Sequence, residues 1–261
     1  MNYRMGLDVG STTIKVVVLD EKDKIVFSDY RRHRSNIKIS MSALLREVYE
    51  TLGNVQTHIS VTGSGGMLAA KWLEIPFIQE VVAGTLAVEK KIPKTDCAIE
   101  LGGEDAKITF FEGSIEQRMN GTCAGGTGAF IDQMASLLKT DAAGLNELAK
   151  AHKMIYPIAS RCGVFAKTDV QPLINEGAER ADIAASVLQA VVNQTISGLA
   201  CGHTIKGHVA FLGGPLYFLS ELRQRFIETL ELTPDEVEFP ENSNLLDRKS
   251  TRLNSSHGRR S

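Results

Sequence analysis

Apolar runs broken by glycine turns organise the first half of the chain. Arg4–Leu7 and Thr13–Leu19 are apolar runs joined by Asp8-Val9-Gly10-Ser11-Thr12, and Lys24–Tyr30 follows the charged turn Asp20–Asp23. Short apolar runs bounded by turn residues predict strands, so these three predict an antiparallel meander. Ser42–Leu52 has helical periodicity, His58–Thr62 predicts a short strand, and Gly65–Leu73 and Val81–Lys90 predict helices. A second meander follows: Cys97–Leu101, the turn Gly102-Gly103, the return Ala106–Phe111, then Ser114–Met119 after Glu112-Gly113. Strand, glycine turn and strand thus occur twice, at Asp8–Lys15 and at Glu100–Lys107.

From Gly121 the pattern turns mostly helical. Gly126–Leu138, Leu145–Ala151, Phe165–Asn175 and Ala181–Ala200 predict helices. Val209–Leu212 predicts a last strand, ended by Gly213-Gly214-Pro215, and Tyr217–Leu230 a final amphipathic helix. The expected class is α/β, with a first lobe over 1–95 and a second over 96–246 that carries a helical segment.

Composition narrows the function classes. Of the 261 residues, 43% are hydrophobic and 23% charged, the balance of a globular chain with a sizeable core. The net charge of -2, without a basic stripe before the last fifteen residues, argues against nucleic acid. No apolar run approaches the roughly 20 residues that span a bilayer, so no membrane partner is expected. Four widely spaced cysteines without CxxC pairs suit a reducing cytoplasm. Asp247–Ser261 changes character: it holds five of the 29 Lys/Arg and one of the 31 Asp/Glu. It reads as a disordered, non-native terminus on a truncated chain, with a native basic tail as the other reading.

The glycine turns carry the first candidate chemistry. Phosphate in a hairpin turn needs close backbone N–H groups, which glycine permits at Gly10. Ser11 and Thr12 add hydroxyl donors, and Lys15 adds a mobile positive charge. Asp8 would repel phosphate, so its natural role is to hold Mg²⁺ through water. By itself this turn also reads as an ordinary hairpin. The second acidic turn, Glu100-Leu101-Gly102-Gly103-Glu104-Asp105-Ala106-Lys107, repeats the pattern and suggests two lobes gripping one nucleotide. Gly213-Gly214 is a third turn, where adenosine could lie. Neither the P-loop nor the Rossmann spacing is present. Three glycine turns in this order resemble the actin/Hsp70/sugar-kinase superfold, in which two ribonuclease-H-like lobes close over Mg-ATP.

The cysteines discriminate within that superfold, which hosts many activities. Cys123 lies in Asn120-Gly121-Thr122-Cys123-Ala124-Gly125-Gly126-Thr127-Gly128, and Cys162 in Ser160-Arg161-Cys162-Gly163-Val164-Phe165. Each precedes a predicted helix, whose N-terminal partial charge and free N–H groups favour a thiolate. Two such thiols can be inert core residues, a redox pair, or half of a four-cysteine cluster. Cys97, inside an apolar strand, and Cys201, after a long helix, are poor further ligands. A four-thiolate cluster would therefore need Cys123 and Cys162 from each of two chains, which a two-fold axis supplies.

CAGGTGAF and SRCGVFAKTDV resemble the cysteine motifs of the 2-hydroxyacyl-CoA dehydratase activators and the related ATPase subunits of benzoyl-CoA reductase. DVGSTTIK and LGGEDAK resemble their phosphate motifs, and the similarity spans roughly 4–246. Beyond Pro157 it is nearest the N-terminal part of the large fused activases. The resemblance implies a homodimer holding one [4Fe-4S] cluster between its subunits. It implies that ATP hydrolysis to ADP drives an electron, supplied by a ferredoxin- or flavodoxin-type donor, into a 2-hydroxyacyl-CoA dehydratase or CoA-ester reductase, fused or separate. By it, Gly213 and Gly214 approach the nucleotide, and Glu100 or Glu104 orients the attacking water. Compact members often carry Asp and Gln at those two positions. The family also continues past 241–246 with a helix that the basic tail replaces here. The rival on the same superfold is a small-molecule kinase, for which Asp105 is the sole candidate base. His58, His152, His203 and His208 show no ligand spacing, Trp72 reads as a packing residue, and Asp169 and Glu176 read as solvated. Gly63-Ser64-Gly65-Gly66 reads equally as a plain turn or a further nucleotide loop.

Overall fold

A computed structural model describes residues 2–120, 125–159 and 163–240. The chain divides into two compact units, Met1–Pro93 and Lys94–Asn244.

The first unit opens with β1 (Asn2–Val9), β2 (Thr13–Leu19) and β3 (Ile25–Arg32), the expected antiparallel meander. Met5–Val9 are consecutively buried, as are Val16–Leu19, because these strands are covered on both faces. That explains why the sequence shows continuous apolar runs and not alternation. The helix α1 (Ile37–Leu52) starts five residues earlier than expected and turns Met41, Leu44 and Val48 inward. It leads into β4 (Gln56–Thr62), which joins β1 in parallel, giving the order β3-β2-β1-β4. Then follow α2 (Gly66–Leu73) and α3 (Glu80–Lys91). A single parallel bridge, Val61 to Phe77, occupies the next sheet position.

The second unit repeats this plan. β5 (Cys97–Leu101), β6 (Ala106–Phe110) and β7 (Glu116–Met119) form the meander. After the helices α4 (Gly128–Leu137), α5 (Ala142–Ala149), α6 (Gly163–Asn175) and α7 (Arg180–Thr195) comes β8 (Val209–Leu212), parallel to β5. Next are α8 (Gly214–Phe218), α9 (Ser220–Thr229) and β9 (Val237–Glu238), the last parallel to β8. The order β7-β6-β5-β8-β9 matches the first sheet position for position, with β9 where Val61–Phe77 forms its one bridge.

Two predicted helices differ from the structure. Tyr217–Leu230 is two helices, because buried Leu219 adopts φ -106, ψ 94 and breaks the ladder. Ala181–Ala200 is α-helical only to Thr195, and Ile196–Ala200 is a π turn. There Thr195 and Ser197 donate to the carbonyls of Val191 and Asn193, four residues back, competing with the backbone ladder. Arg180–Ala200 is long and apolar enough to cross a membrane, yet 67% of its apolar window is buried in the fold, so its composition is that of a core helix.

Candidate functional site

Each unit presents the same hairpin. In the first, Asp8 and Lys15 face one another across β1 and β2, and Gly10 N donates to Thr13 O at 2.9 Å. In the second, Glu100 and Lys107 face one another across β5 and β6, and Gly102 N donates to Asp105 O at 2.7 Å. The acid, the glycine two residues on and the lysine seven residues on thus occupy equivalent places.

The first hairpin is polar and tightly held. Asp8 is 4% exposed, and Lys15 Nζ lies 2.8 Å from its Oδ2. Ser11 is exposed and Thr12 half-buried, so both hydroxyls border open space. His33, which sequence reasoning passed over, is buried against the turn. Its backbone N–H donates to Thr12 O, and its Nε2 meets Gly10 O at 3.1 Å. Ser35 N donates to His33 Nδ1, so Nδ1 is the acceptor and Nε2 carries the proton given to Gly10 O. The signal in the sequence was a histidine directly after the third strand. Thr62 pairs with Asp8 across β1 and β4, and its buried Oγ1 has no hydrogen-bond partner. An orphaned hydroxyl beside a buried carboxylate is a donor set that suits a hydrated divalent cation.

The turn after β4 is part of this site. Gly63 has φ +94, and a Cβ there would lie 2.5 Å from Asp8 Oδ1 and from Val9 O. Gly213, after β8, has φ +88, and its Cβ would lie 2.1 Å from Leu101 O. Both turns press backbone against the adjoining hairpin strand, which only glycine allows. Gly63 and Gly213 hold the same place in the repeated plan, so the loop read as equally a plain turn is the first unit's counterpart of Gly213-Gly214. Gly213 and Gly214 are both buried.

The second hairpin differs in what it holds. Lys107 is 5% exposed, and its Nζ lies 3.5 Å from Glu100 Oε1. Glu104 is exposed, and Asp105 uses its carbonyl to close the turn. The carbonyls of Gly102 and Gly103 accept from the backbone N–H groups of Gly128 and Ala129, at 3.0 and 2.7 Å. The turn therefore caps α4. A Cβ at Gly128 would meet Gly102 O at 3.2 Å, Pro215 Cγ at 3.3 Å and Gly103 Cα at 3.4 Å. Two glycine turns and the start of α4 thus meet at one residue. This corrects the expectation of free N–H groups at the helix after Cys123, since the first two are taken by the hairpin.

Cys123 and Cys162 lie outside the described residues. The helices that follow them pack together: a Cβ at Gly163, the first residue of α6, would lie 2.6 Å from Gln133 Oε1 of α4. Gln194 of α7 packs on the first motif, with its Cγ 3.3 Å from a Cβ built on Gly126. Residues 151–159, which lead to the second motif, lack regular structure and are held by side chains instead. Buried Asp182 accepts from Lys153 N at 2.6 Å and Met154 N at 3.2 Å, Ser186 Oγ from Tyr156 N at 2.7 Å, and Asp169 from Ala159 N at 2.7 Å. Asp169 is therefore a half-buried anchor and not the solvated side chain expected. The Lys153 N–H is the main cause of a lowered Asp182 pKa, opposed by burial and aided by Met154 N–H.

The other two cysteines behave as expected. Cys97 is 1% exposed, and burial, with Asp96 adding to it, pushes its thiol up to about 12. Cys201 is exposed after the π turn. His203, in the irregular segment before β8, stacks on Phe110, and His208, directly before β8, lies 3.6 Å from Glu238 Oε1. Trp72 is 37% exposed, with Lys38 Nζ 4.3 Å from its ring centre.

Residues 5–229 match the family described as BadF/BadG/BcrA/BcrD ATPase. The 2-hydroxyisocaproyl-CoA dehydratase activator of Clostridioides difficile is 31% identical over 218 residues, 81% of this chain and 80% of that protein. The structure of the activator of the 2-hydroxyisocaproyl-CoA dehydratase from Clostridium difficile with bound ADPNP superposes at TM-score 0.84 with 27% identity, covering 97% of this chain and 93% of the other. Component A of the Acidaminococcus fermentans (R)-2-hydroxyglutaryl-CoA dehydratase gives TM-score 0.84, 25% identity and 97% coverage of both chains. A ROK family glucokinase from Streptomyces griseus, at TM-score 0.54 and 13% identity over 98% of this chain and 100% of the other, shares the fold alone. The fold is thus that of the actin/Hsp70/sugar-kinase class, as the paired turns led us to expect.

Proposed function

The chain belongs to the BadF/BadG/BcrA/BcrD ATPase family, and from that membership we propose that it is an ATP-hydrolysing iron–sulfur activator of a 2-hydroxyacyl-CoA dehydratase or related CoA-ester reductase. The observation that carries this reading is the second hairpin, whose Gly102 and Gly103 carbonyls cap the helix that follows Cys123. A turn built for phosphate and a helix leading from a thiol then move as one body.

The residues take the following parts. Gly10, Ser11 and Thr12 present donors to the terminal phosphates of ATP. Lys15 and Asp8, now paired with each other, re-pair on binding: the lysine turns to phosphate and the carboxylate to hydrated Mg²⁺. Thr62 Oγ1, orphaned beside Asp8, suits that cation's water shell. His33 fixes the turn by holding Gly10 O. Gly102 and Gly103 approach the γ-phosphate, and Glu100 or Glu104 orients water. Gly213 and Gly214 border the adenosine. Catalysis of this kind is positioning and charge stabilisation, with no covalent intermediate on the protein.

Cys123 and Cys162 from each of two chains would hold one [4Fe-4S] cluster on the two-fold axis of a homodimer. When bound, the cluster supplies a single low-potential electron, received from a ferredoxin- or flavodoxin-type donor. The packing of Gly163, the start of α6, against Gln133 and Phe130 of α4 supports one site for both motifs. Asp169, Asp182 and Ser186 fix the approach to the second motif. A cytoplasmic setting suits exposed Cys201 and the thiol ligands.

The test is iron and acid-labile sulfide per chain, with oligomeric mass, after strictly anaerobic purification. Half a cluster per chain in a dimer is expected, lost in Cys123→Ser and in Cys162→Ser with the far-UV spectrum unchanged. Iron-free wild-type protein would sink the cluster assignment while leaving the ATPase open to a separate assay.

A further inference from the structure

We infer that the second unit carries another ligand site, for a small aliphatic carboxylate, in an open pocket between the ends of α4 and α6 and the start of α7. The pocket has a volume of about 410 Å³, and its lining includes no residue of the second hairpin. Five aliphatic side chains line it: Leu137 and Leu138 from the end of α4, Ile174 and Ala178 from the end of α6 and the turn after it, and Ile183 from α7. Two exposed cations, Lys139 and Arg180, complete the lining, and no carboxylate does.

Those cations are the reason to assign a ligand. Lys139, two residues past α4, lies in the left-handed region, φ +51, a conformation that residues other than Gly and Asn seldom adopt. Arg180 donates through Nη2 to the Leu138 carbonyl, which seats its guanidinium on the pocket. Among the described residues neither cation forms an ion pair. The acid next to Lys139 and Thr140 in the chain, Asp141, is engaged in capping α5 through Gly144 N at 2.8 Å. A pocket of ligand size that sets aliphatic side chains beside two cations without an ion pair among the described residues fits an anion with a hydrocarbon body. Arginine's planar fork favours a carboxylate, which it can meet with two parallel N–H donors, and the second charge from lysine adds to that preference. The aliphatic part of the lining gives an anion with a hydrocarbon body a contact that inorganic phosphate lacks.

Such a ligand would tie together three helices. α4 begins at the second hairpin and α6 begins directly after Cys162, and both end at this pocket. Occupancy therefore stiffens the far ends of the two helices that leave the cysteine motifs.

The test uses octanoate as probe, with octan-1-ol and inorganic phosphate as controls, in calorimetric titrations of the whole chain. We expect saturable binding of octanoate at one site per chain and no saturation by either control. Lys139→Gln, which leaves the Arg180 to Leu138 bond in place, should weaken binding about tenfold. Ala178→Phe, which fills a half-buried part of the pocket, should abolish it. Both variants should retain the wild-type melting temperature without ligand, and octanoate should raise that temperature only where it binds. Absence of saturation, equal binding of octan-1-ol, or undiminished octanoate binding in either variant would overturn the assignment.

Discussion

The two hairpins share a register and differ in what lies behind them. The first is closed on itself: Asp8 is paired with Lys15 at 2.8 Å, His33 holds the turn from below, and Gly63 presses on the carboxylate. The second is open to the rest of its unit. Its ion pair is longer, 3.5 Å, and its carbonyls carry the first turn of α4. One duplicated element is thus closed on itself in one unit and joined to a helix in the other. The difference comes from the chain that follows each sheet. The first unit continues after β3 with one helix across its sheet, whereas the second inserts α4–α7 between β7 and β8.

The largest effect should come from the backbone contacts of the glycine turns. Gly213→Ala places a Cβ 2.1 Å from Leu101 O at positive φ, and should destabilise the second unit by about 3–5 kcal/mol in urea unfolding. Gly10→Ala is the sharpening control, since the nearest atom to its Cβ is 3.5 Å away. It should change stability by less than about 0.5 kcal/mol yet weaken nucleotide binding, measured by calorimetry. Equal destabilisation by the two would erase the distinction between structural and ligand-facing glycines.

The ion pairs come next. Lys15→Met leaves Asp8 buried without its cation and should cost about 3 kcal/mol of stability. Lys107→Met should cost less, about 2 kcal/mol, because Glu100 is the more exposed acid and the contact is longer. A reversed order in unfolding midpoints would show that the first grip is not the tighter one.

A smaller effect concerns the segment 151–159. The Asp182 carboxylate titrates below its ordinary 3.8, chiefly because it accepts from Lys153 N. Its contribution to stability is therefore full above the unfolded-state value and is lost as pH falls through the lower folded one. Amide exchange at Lys153 and Met154, corrected for intrinsic rates, should quicken in acid below pH 3.8, and Asp182→Asn should quicken it already at neutral pH. Unchanged exchange in the variant would remove Asp182 as an anchor. The smallest effect is chemical: Cys201 should alkylate readily in the native protein and Cys97, pushed up to about 12, should not.

Much of the fold could be read from the sequence because its determinants are local. The β1–β2 and β5–β6 hairpins have their apolar runs, turn glycines and paired acid and lysine within a few residues of each other. The break at Leu219 was not legible, because a buried leucine in a helical pattern gives no sign that tertiary packing will hold it extended. The parallel seats of β4 and β8 depend on partners far along the chain. Segment 151–159 was illegible for the same reason, since its hydrogen-bond acceptors lie on α6 and α7. Of the candidate site, the turns and their charges were visible, whereas His33 and Thr62 became candidates only through their neighbours. The capping of α4 by Gly102 and Gly103 required the fold.

The central claim is that nucleotide state reaches the cysteine helices through that capping. It is tested most directly by amide exchange at Gly128 and Ala129 with ATP analogue bound against ADP bound. A difference in protection at these two amides, lost in Gly128→Val, is the predicted result. Identical protection in both nucleotide states would contradict the account.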